Sequence, residues 1–266
     1  MALNVNAKVL IADLKLLPES EQLIRDPETA GKVAYTKCDV TNWNELERLP
    51  SEVEVAFGNG SVADVWIAGA GVFEPNVSSF FQDNDKEYYK AMRINADHPI
   101  KLTRIAMRSC LGANKPGVVL LVASMAGVAG FYGSPLYCAS KHAVIGFTKS
   151  MAQAEKDENI KIVCVMPGIV DTPLWHSEAV SKQYSYSDAM AITPEEVAWA
   201  MKDLVEQGKF NGGSLLEVSK SNGRNELESK QTAASQSDDP ETQKWVDQCY
   251  APARQILMQE RGAQLK

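Results

Sequence analysis

Tyr137 and Lys141 stand four residues apart in the stretch Ser134-Pro135-Leu136-Tyr137-Cys138-Ala139-Ser140-Lys141-His142-Ala143, so on a helix they share a face. A free tyrosine titrates near 10 and is a poor acid or base at neutral pH, but an ammonium within roughly 4–6 Å favours the phenolate and lowers that value. The spacing therefore makes a candidate proton-transfer pair. Ser124 closes the apolar run VVLLVAS, at the carboxyl end of a strand, where open α/β sheets place functional side chains and where a hydroxyl can hydrogen-bond a substrate oxygen. Each feature alone is common: Tyr-x-x-x-Lys arises by chance on surface helices, and a serine after a strand is usually a turn residue.

These residues must be held by regular elements. Short apolar runs at 9–12, 33–37, 65–68, 118–123, 161–165 and 214–218 read as buried strands, and longer amphipathic runs at 42–56, 86–111, 135–156 and 194–207 read as helices. Their alternation predicts a doubly wound α/β fold, a parallel sheet between two layers of helices. The helix opened by Thr193-Pro194-Glu195-Glu196 carries a cap, a first-turn proline and acids at the positive end of its dipole. From 219 to 239 the sequence turns polar and small, which predicts a linker or disordered tail. A helical extension follows, which Pro252 should kink. The expected organisation is a nucleotide-binding-type domain over 1–220, a linker over 221–239 and a C-terminal extension over 240–266.

Composition narrows the function. With 266 residues, 45% hydrophobic and 23% charged, the chain has the make-up of an ordinary globular protein with one large core. Its net charge of −7, without a cluster of Lys or Arg, argues against nucleic acid as a partner. The five cysteines, Cys38, Cys110, Cys138, Cys164 and Cys249, are scattered and lack CxxC spacing, which points to reduced thiols rather than disulfides or zinc. His98, His142 and His176 have no ligand spacing between them, so no metal is expected. No apolar run approaches the roughly 20 residues that cross a bilayer; a cytoplasmic protein without a membrane partner is expected.

Taken together and in this order, the motifs resemble the classical short-chain dehydrogenase/reductases. The similarity runs from Lys8 to about Val218 and rests on the Ser124 strand end with Ala126-Gly127, on the Tyr137-Cys138-Ala139-Ser140-Lys141 helix and on Pro167-Gly168-Ile169-Val170-Asp171-Thr172. Around the Tyr137 helix and at Asn211-Gly212-Gly213 it is similar in type to hydroxyprostaglandin dehydrogenase and related fungal members. The resemblance implies a Rossmann-type three-layer fold and hydride transfer between a nicotinamide and a secondary alcohol or ketone. By the same resemblance Tyr137 is the general acid/base, Ser124 holds and polarises the substrate oxygen, and Lys141 lowers the Tyr137 pKa and binds the nicotinamide ribose. Asn95 would support a proton relay through water. Hydride transfer to a carbonyl builds an alkoxide that needs a proton and a hydrogen-bond donor, which agrees with the reading of the residues alone.

Cofactor contacts carry over in the same way. Asp13 closes an early strand, where a carboxylate accepts from both ribose hydroxyls and repels a 2′-phosphate, so NAD(H) is favoured over NADP(H). Asp39 and Val40 match the pair that contacts adenine, and Ala70 and Gly71 match small residues that let backbone approach it. Val170 and Thr172 would touch the nicotinamide carboxamide and phosphate. Outside the resemblance, Asp13 reads as a strand-end acid capping a turn and Asp39 as a cap for Thr41-Asn42. Trp175, Tyr184 and Met190 lie where the family has its substrate lid and suit a bulky lipophilic substrate. The helices at 86–111 and 135–156 form a dimer interface in this family, which implies a homodimer or homotetramer.

Two departures from the family pattern stand out. The fourth strand of the family ends in Asn-Asn-Ala-Gly, whereas here Ile67-Ala68-Gly69-Ala70-Gly71 lacks both amides. The first strand of the family, with its T-G-x-x-x-G-x-G turn, should stand before Met1 and has no equivalent in the sequence; residues 1–3 align with the end of the family's first helix. The expectation is an incomplete version of a working dehydrogenase. The alternatives are a catalytically silent binding or scaffold protein and a cofactor-independent non-redox enzyme.

Overall fold

The structure, a computed structural model, describes residues 7–74, 77–229 and 234–263. The reading of residues 1–3 as a helix end, and that of 230–233 as linker, lie outside them.

Strands β1 (Val9–Asp13) and β2 (Val33–Lys37) pair in parallel and form a sheet of their own. Strands β3 (Val65–Ala68), β4 (Gly117–Val122), β5 (Ile160–Pro167), β6 (Leu215–Ser219) and β7 (Gly223–Leu227) form a second sheet in that order, parallel up to β6 and antiparallel at β7. All six expected strands are therefore present, within a residue or two at their ends. Among the described residues no strand lies between β1 and β3, so each keeps one unpaired edge, and β3 leaves Ile67 41% exposed.

The central strands of the second sheet, β4 to β6, are buried on both faces, and the strand alternation distributes their side chains between two cores. Val119 and Leu121 of β4 and Ile160, Ile162, Cys164 and Met166 of β5 face one layer. That layer is built from α2 (Trp43–Phe57), α4 (His98–Gly112) and α5 (Pro135–Ser150) through Leu46, Leu49, Leu102, Ile105, Val144 and Ile145. Leu120, Val163, Val165 and Leu216 face the other side, covered by Val197, Ala200 and Leu204 of α8 (Pro194–Glu206). The N-terminal signature of α8 is a complete capping box between Thr193 and Glu196.

The described elements depart from the sequence reading in several places. The run expected as one helix over 86–111 begins at α3 (Lys90–Met92), passes through a π-helical turn at Arg93–Asp97 and continues as α4. The helix expected over 135–156 ends at Ser150, where the Met151 amide is shared between the Phe147 and Thr148 carbonyls, and resumes as α6 (Gln153–Glu158), whose Glu155 accepts from the Gly212 amide. Two helices were not foreseen: α1 (Pro18–Arg25), which has no buried residue, and α7 (Glu178–Tyr184), capped by Ser177. The polar segment read as a linker holds β7, which pairs with β6 and is pinned by Arg224 on Asp203 (2.7 Å) and by Ser214 on Glu226 (2.7 Å). Helix α9 (Pro240–Glu260) runs through Pro252 without interruption. It docks on its own chain by Val246, by Arg254 on Asp157 (2.8 Å) and by ion pairs of Arg104 with Glu260 and Arg261 with Glu158.

Candidate active site

The carboxyl ends of β3, β4 and β5, the first turn of α5 and the segment after β5 enclose a cavity of about 620 Å³. Ser124, Tyr137, Lys141, Gly71, Val170 and Thr172 all line it, so the structure brings together residues that lie up to a hundred positions apart.

Ser124 follows β4 and caps a short turn, accepting the Ala126 amide at 3.2 Å. Its hydroxyl donates to the Pro167 carbonyl at 3.4 Å and borders the same cavity as the Tyr137 side chain. The turn reaches α5 because residue 127 is glycine: a side chain there would lie 2.7 Å from the Lys141 carbonyl oxygen and 2.6 Å from the Ile145 side chain. Lys141 is buried, and its Nζ donates to the Val122 carbonyl at 2.8 Å and sits 5.6 Å from the centre of the Tyr137 ring. Gly71 lies close by; a side chain there would come within 3.6 Å of Asn95 Oδ1 and 3.8 Å of Lys141 Nζ.

The electrostatics differ from the sequence reading. Burial pushes the Tyr137 phenol up from its ordinary value, opposed by the Ser124 hydroxyl and assisted by Cys138. Burial pushes the Lys141 ammonium down to about 8. The lowering of Tyr137 expected from Lys141 is not what this arrangement gives, because the ammonium is turned to the Val122 carbonyl and desolvation of the phenol dominates.

Asn95 sits in the π-helical turn, a distortion frequent at functional sites. Its side chain grips the backbone of Val72 twice, accepting the amide and donating to the carbonyl, both at 2.9 Å, and also donates to Ser140 Oγ at 3.3 Å. Asn95 is fully buried behind the cavity rather than lining it. Asp13 is exposed at the end of β1, and Ala70 is exposed beyond β3; neither lines the cavity. Asp39 is likewise outside it, with Oδ1 held by the Thr41 amide (2.9 Å) and hydroxyl (2.7 Å), which lower its pKa. That is the local turn role, and the cap of α2 falls to Asn42 instead. Val40 packs against the core beside it.

Around the Tyr137 hydroxyl the walls are aromatic. Phe73 meets Tyr137 edge-on with centroids 4.7 Å apart, and touches Trp175 and Tyr184, each at 5.1 Å. Tyr186 stacks on Trp175 at 5.8 Å, and Met190 completes the wall. Trp175, Tyr184 and Met190 were expected here. Phe73, and Glu74 behind it, were not: they belong to the loop after β3, whose composition carries no periodic signal, and their partner Tyr137 lies more than sixty positions away.

The residues present fit the nicotinamide half of a dinucleotide: a buried ammonium, a phenol with a serine and two backbone-rich segments, Gly69–Phe73 and Pro167–Thr172, border one cavity. Among the described residues no helix N-terminus follows a glycine-rich turn beside β1 to receive the pyrophosphate. The described residues hold no cluster of three metal-ligating side chains, and no described helix is long and apolar enough to cross a membrane.

Comparison with known proteins agrees with this geometry. The short chain dehydrogenase family matches residues 3–183. The chain is 26% identical over 208 residues to 15-hydroxyprostaglandin dehydrogenase [NAD(+)] of Mus musculus, covering 72% of each protein. It is 32% identical over 195 residues to the short-chain dehydrogenase/reductase cdmF of Talaromyces verruculosus, covering 66% of this chain and 75% of that one. Among solved structures, 4-hydroxyisoleucine dehydrogenase complexed with NADH superposes with a TM-score of 0.67 over 82% of this chain and 88% of that one; at 22% identity this bears on the fold alone. A parallel sheet whose strand ends bring Ser124, Tyr137 and Lys141 to one cavity, within a sequence matched over residues 3–183, makes this chain a member of the short-chain dehydrogenase family.

Proposed function

We propose that this chain is an NAD(H)-dependent oxidoreductase that interconverts a lipophilic secondary alcohol and its ketone. The observation that carries the reading is the convergence of Ser124, Tyr137 and Lys141 on one cavity walled by Phe73, Trp175 and Tyr184. The nicotinamide supplies or receives the hydride. Tyr137 holds the proton that the substrate oxygen gains or loses, and Ser124, on the same cavity, fixes that oxygen and polarises its carbon. Lys141 places a positive group beneath the phenol ring and at the floor of the cavity. Val170 and Thr172 line the same cavity and would hold the nicotinamide, and Asn95 holds the backbone of Val72 behind the cavity. The aromatic wall favours a bulky apolar substrate, because a polar one would leave its groups unpaired there.

Preference for NAD(H) rests on Asp13, which ends β1 with an exposed carboxylate that would repel a 2′-phosphate. Asp39 and Val40 follow β2 at the corresponding level, and Ala70 with Gly71 opens the approach after β3. The unpaired edges of β1 and β3 favour, as a second reading, a protein that keeps the pocket without the chemistry. One experiment separates the two: purified chain is incubated with a panel of apolar ketones and either NADH or NADPH, and loss of the reduced nicotinamide is followed. The proposal expects turnover with NADH, weaker turnover with NADPH, and a narrowed preference in Asp13→Ala. Absence of turnover with every ketone and both cofactors favours the second reading.

A further inference from the structure

The Glu74 carboxylate is buried, with the residue 2% exposed, and it takes no part in the chemistry above. Its Oε2 accepts the backbone N–H of Tyr137 at 2.8 Å and its Oε1 accepts that of Phe80 at 3.2 Å. Tyr137 is the third residue of α5, and the N–H groups of a first turn have no partner within the helix. The residue placed to satisfy them is Ser134, the N-cap, yet its side chain makes no capping bond. Tyr184, from the far side of the cavity, donates instead to the Gly133 carbonyl at 3.1 Å, just ahead of this cap. A carboxylate from another loop has taken over the cap, at the positive end of the helix dipole where it is best placed. The preceding residue, Phe73, packs its ring on the Tyr137 ring, and Val72 before it is clamped by Asn95. Three consecutive residues thus tie the π-helical turn to both the backbone and the ring of the proposed acid/base.

We propose that Glu74 is a positioning residue for Tyr137, fixing the first turn of α5 so that the phenol stays in the cavity that Ser124 also lines. The proposal rests on the proton-transfer role assigned to Tyr137 above. A displacement of about 1 Å in a reacting group costs up to about a hundredfold in rate, so an uncapped first turn should be felt in turnover. The test uses the full chain with Glu74→Ala, Glu74→Gln and, as a control for lost stability alone, Ile162→Val in the core far from the cap. Glu74→Ala should lower kcat by about tenfold or more while the KM for NADH changes by less than about twofold. Glu74→Gln keeps one acceptor for the Tyr137 amide and should recover most of kcat, and Ile162→Val should leave kcat unchanged.

A second readout does not depend on turnover. With ring-labelled tyrosine, and the Tyr137 signal assigned through Tyr137→Phe, the Tyr137 resonance should shift or broaden in Glu74→Ala and hold in Glu74→Gln, while that of Tyr250 holds in both. If the wild-type chain reduces no ketone, the proposed function fails and the resonance alone decides the role of Glu74. An unmoved Tyr137 resonance, or a kcat in Glu74→Ala equal to that of the wild type, overturns it. A fall in kcat that Ile162→Val reproduces also overturns it.

Discussion

Tyr137 and Lys141 were legible in the sequence because their chemistry depends on a local spacing, four residues on one helix, which a chain displays before it folds. Their electrostatics were not legible, since desolvation is a property of the packed molecule: the phenol is raised and the ammonium lowered by burial among residues that the sequence scatters. Replacing Tyr137 by Phe removes only the hydroxyl, so turnover should fall on the order of a hundred- to ten-thousandfold while NADH still binds; steady-state kinetics beside a binding titration checks both halves. Lys141 gives a second prediction, on stability. Its folded value, about 8, lies below the ordinary 10.5, so between these values the unfolded chain holds the proton that the folded one has released, and stability from this group rises with pH across that window. Below about 8 both states are protonated and the cost of the buried charge is constant. The difference in Tm between the wild type and Lys141→Met should therefore move in favour of the wild type as pH rises from about 8 toward 10.5, and a difference that stays flat would contradict it. Glu74 could not be read in advance, because a capping carboxylate 63 positions from its amide leaves no pattern in either segment.

Elements with an apolar pattern were recovered, and those held by pairing or charge were missed. Strands β4 and β5 read as strands because they are buried on both faces, whereas β7, Gly-Arg-Asn-Glu-Leu, is exposed except at its last residue and exists through its ladder with β6. A polar edge strand resembles a linker in composition, which is why that segment was misread. The pair β1–β2 makes a further prediction. It has no hydrogen bonds to the larger sheet and its β1 residues are at most half-buried, whereas β4 and β5 lie between two helical layers. Local stability follows such burial, so amides of β1 and β2 should exchange with solvent well before those of β4 and β5. Equal protection across all four strands would mean that the two sheets open as one cooperative unit.

Over the whole molecule, two cores share one large sheet, and α9 is fastened to their surface by Leu257, packed against the first core, and by a set of ion pairs. Only Val246 of that helix is buried, while Arg254, Arg261 and Glu260 pair with Asp157, Glu158 and Arg104. Partly exposed pairs contribute roughly 0–1 kcal/mol each and are screened by salt, with a Debye length of about 3 Å at 1 M. Limited proteolysis should therefore cut within α9 sooner in 1 M salt than in dilute buffer, with no change in cleavage of β4 or β5. The doubly wound architecture followed from alternating strand and helix patterns, but the separation of the sheet into two pieces is a matter of which strands find partners.

The most direct measurement follows the hydride itself. The purified chain is given NADH carrying deuterium at the transferred position of the nicotinamide together with an apolar ketone, and the recovered alcohol is analysed by mass. The proposed chemistry expects one deuterium on the carbinol carbon with the wild-type chain and almost none with Tyr137→Phe. Alcohol formed without deuterium, or labelled equally well by Tyr137→Phe, would contradict the role given to the Ser124, Tyr137 and Lys141 site.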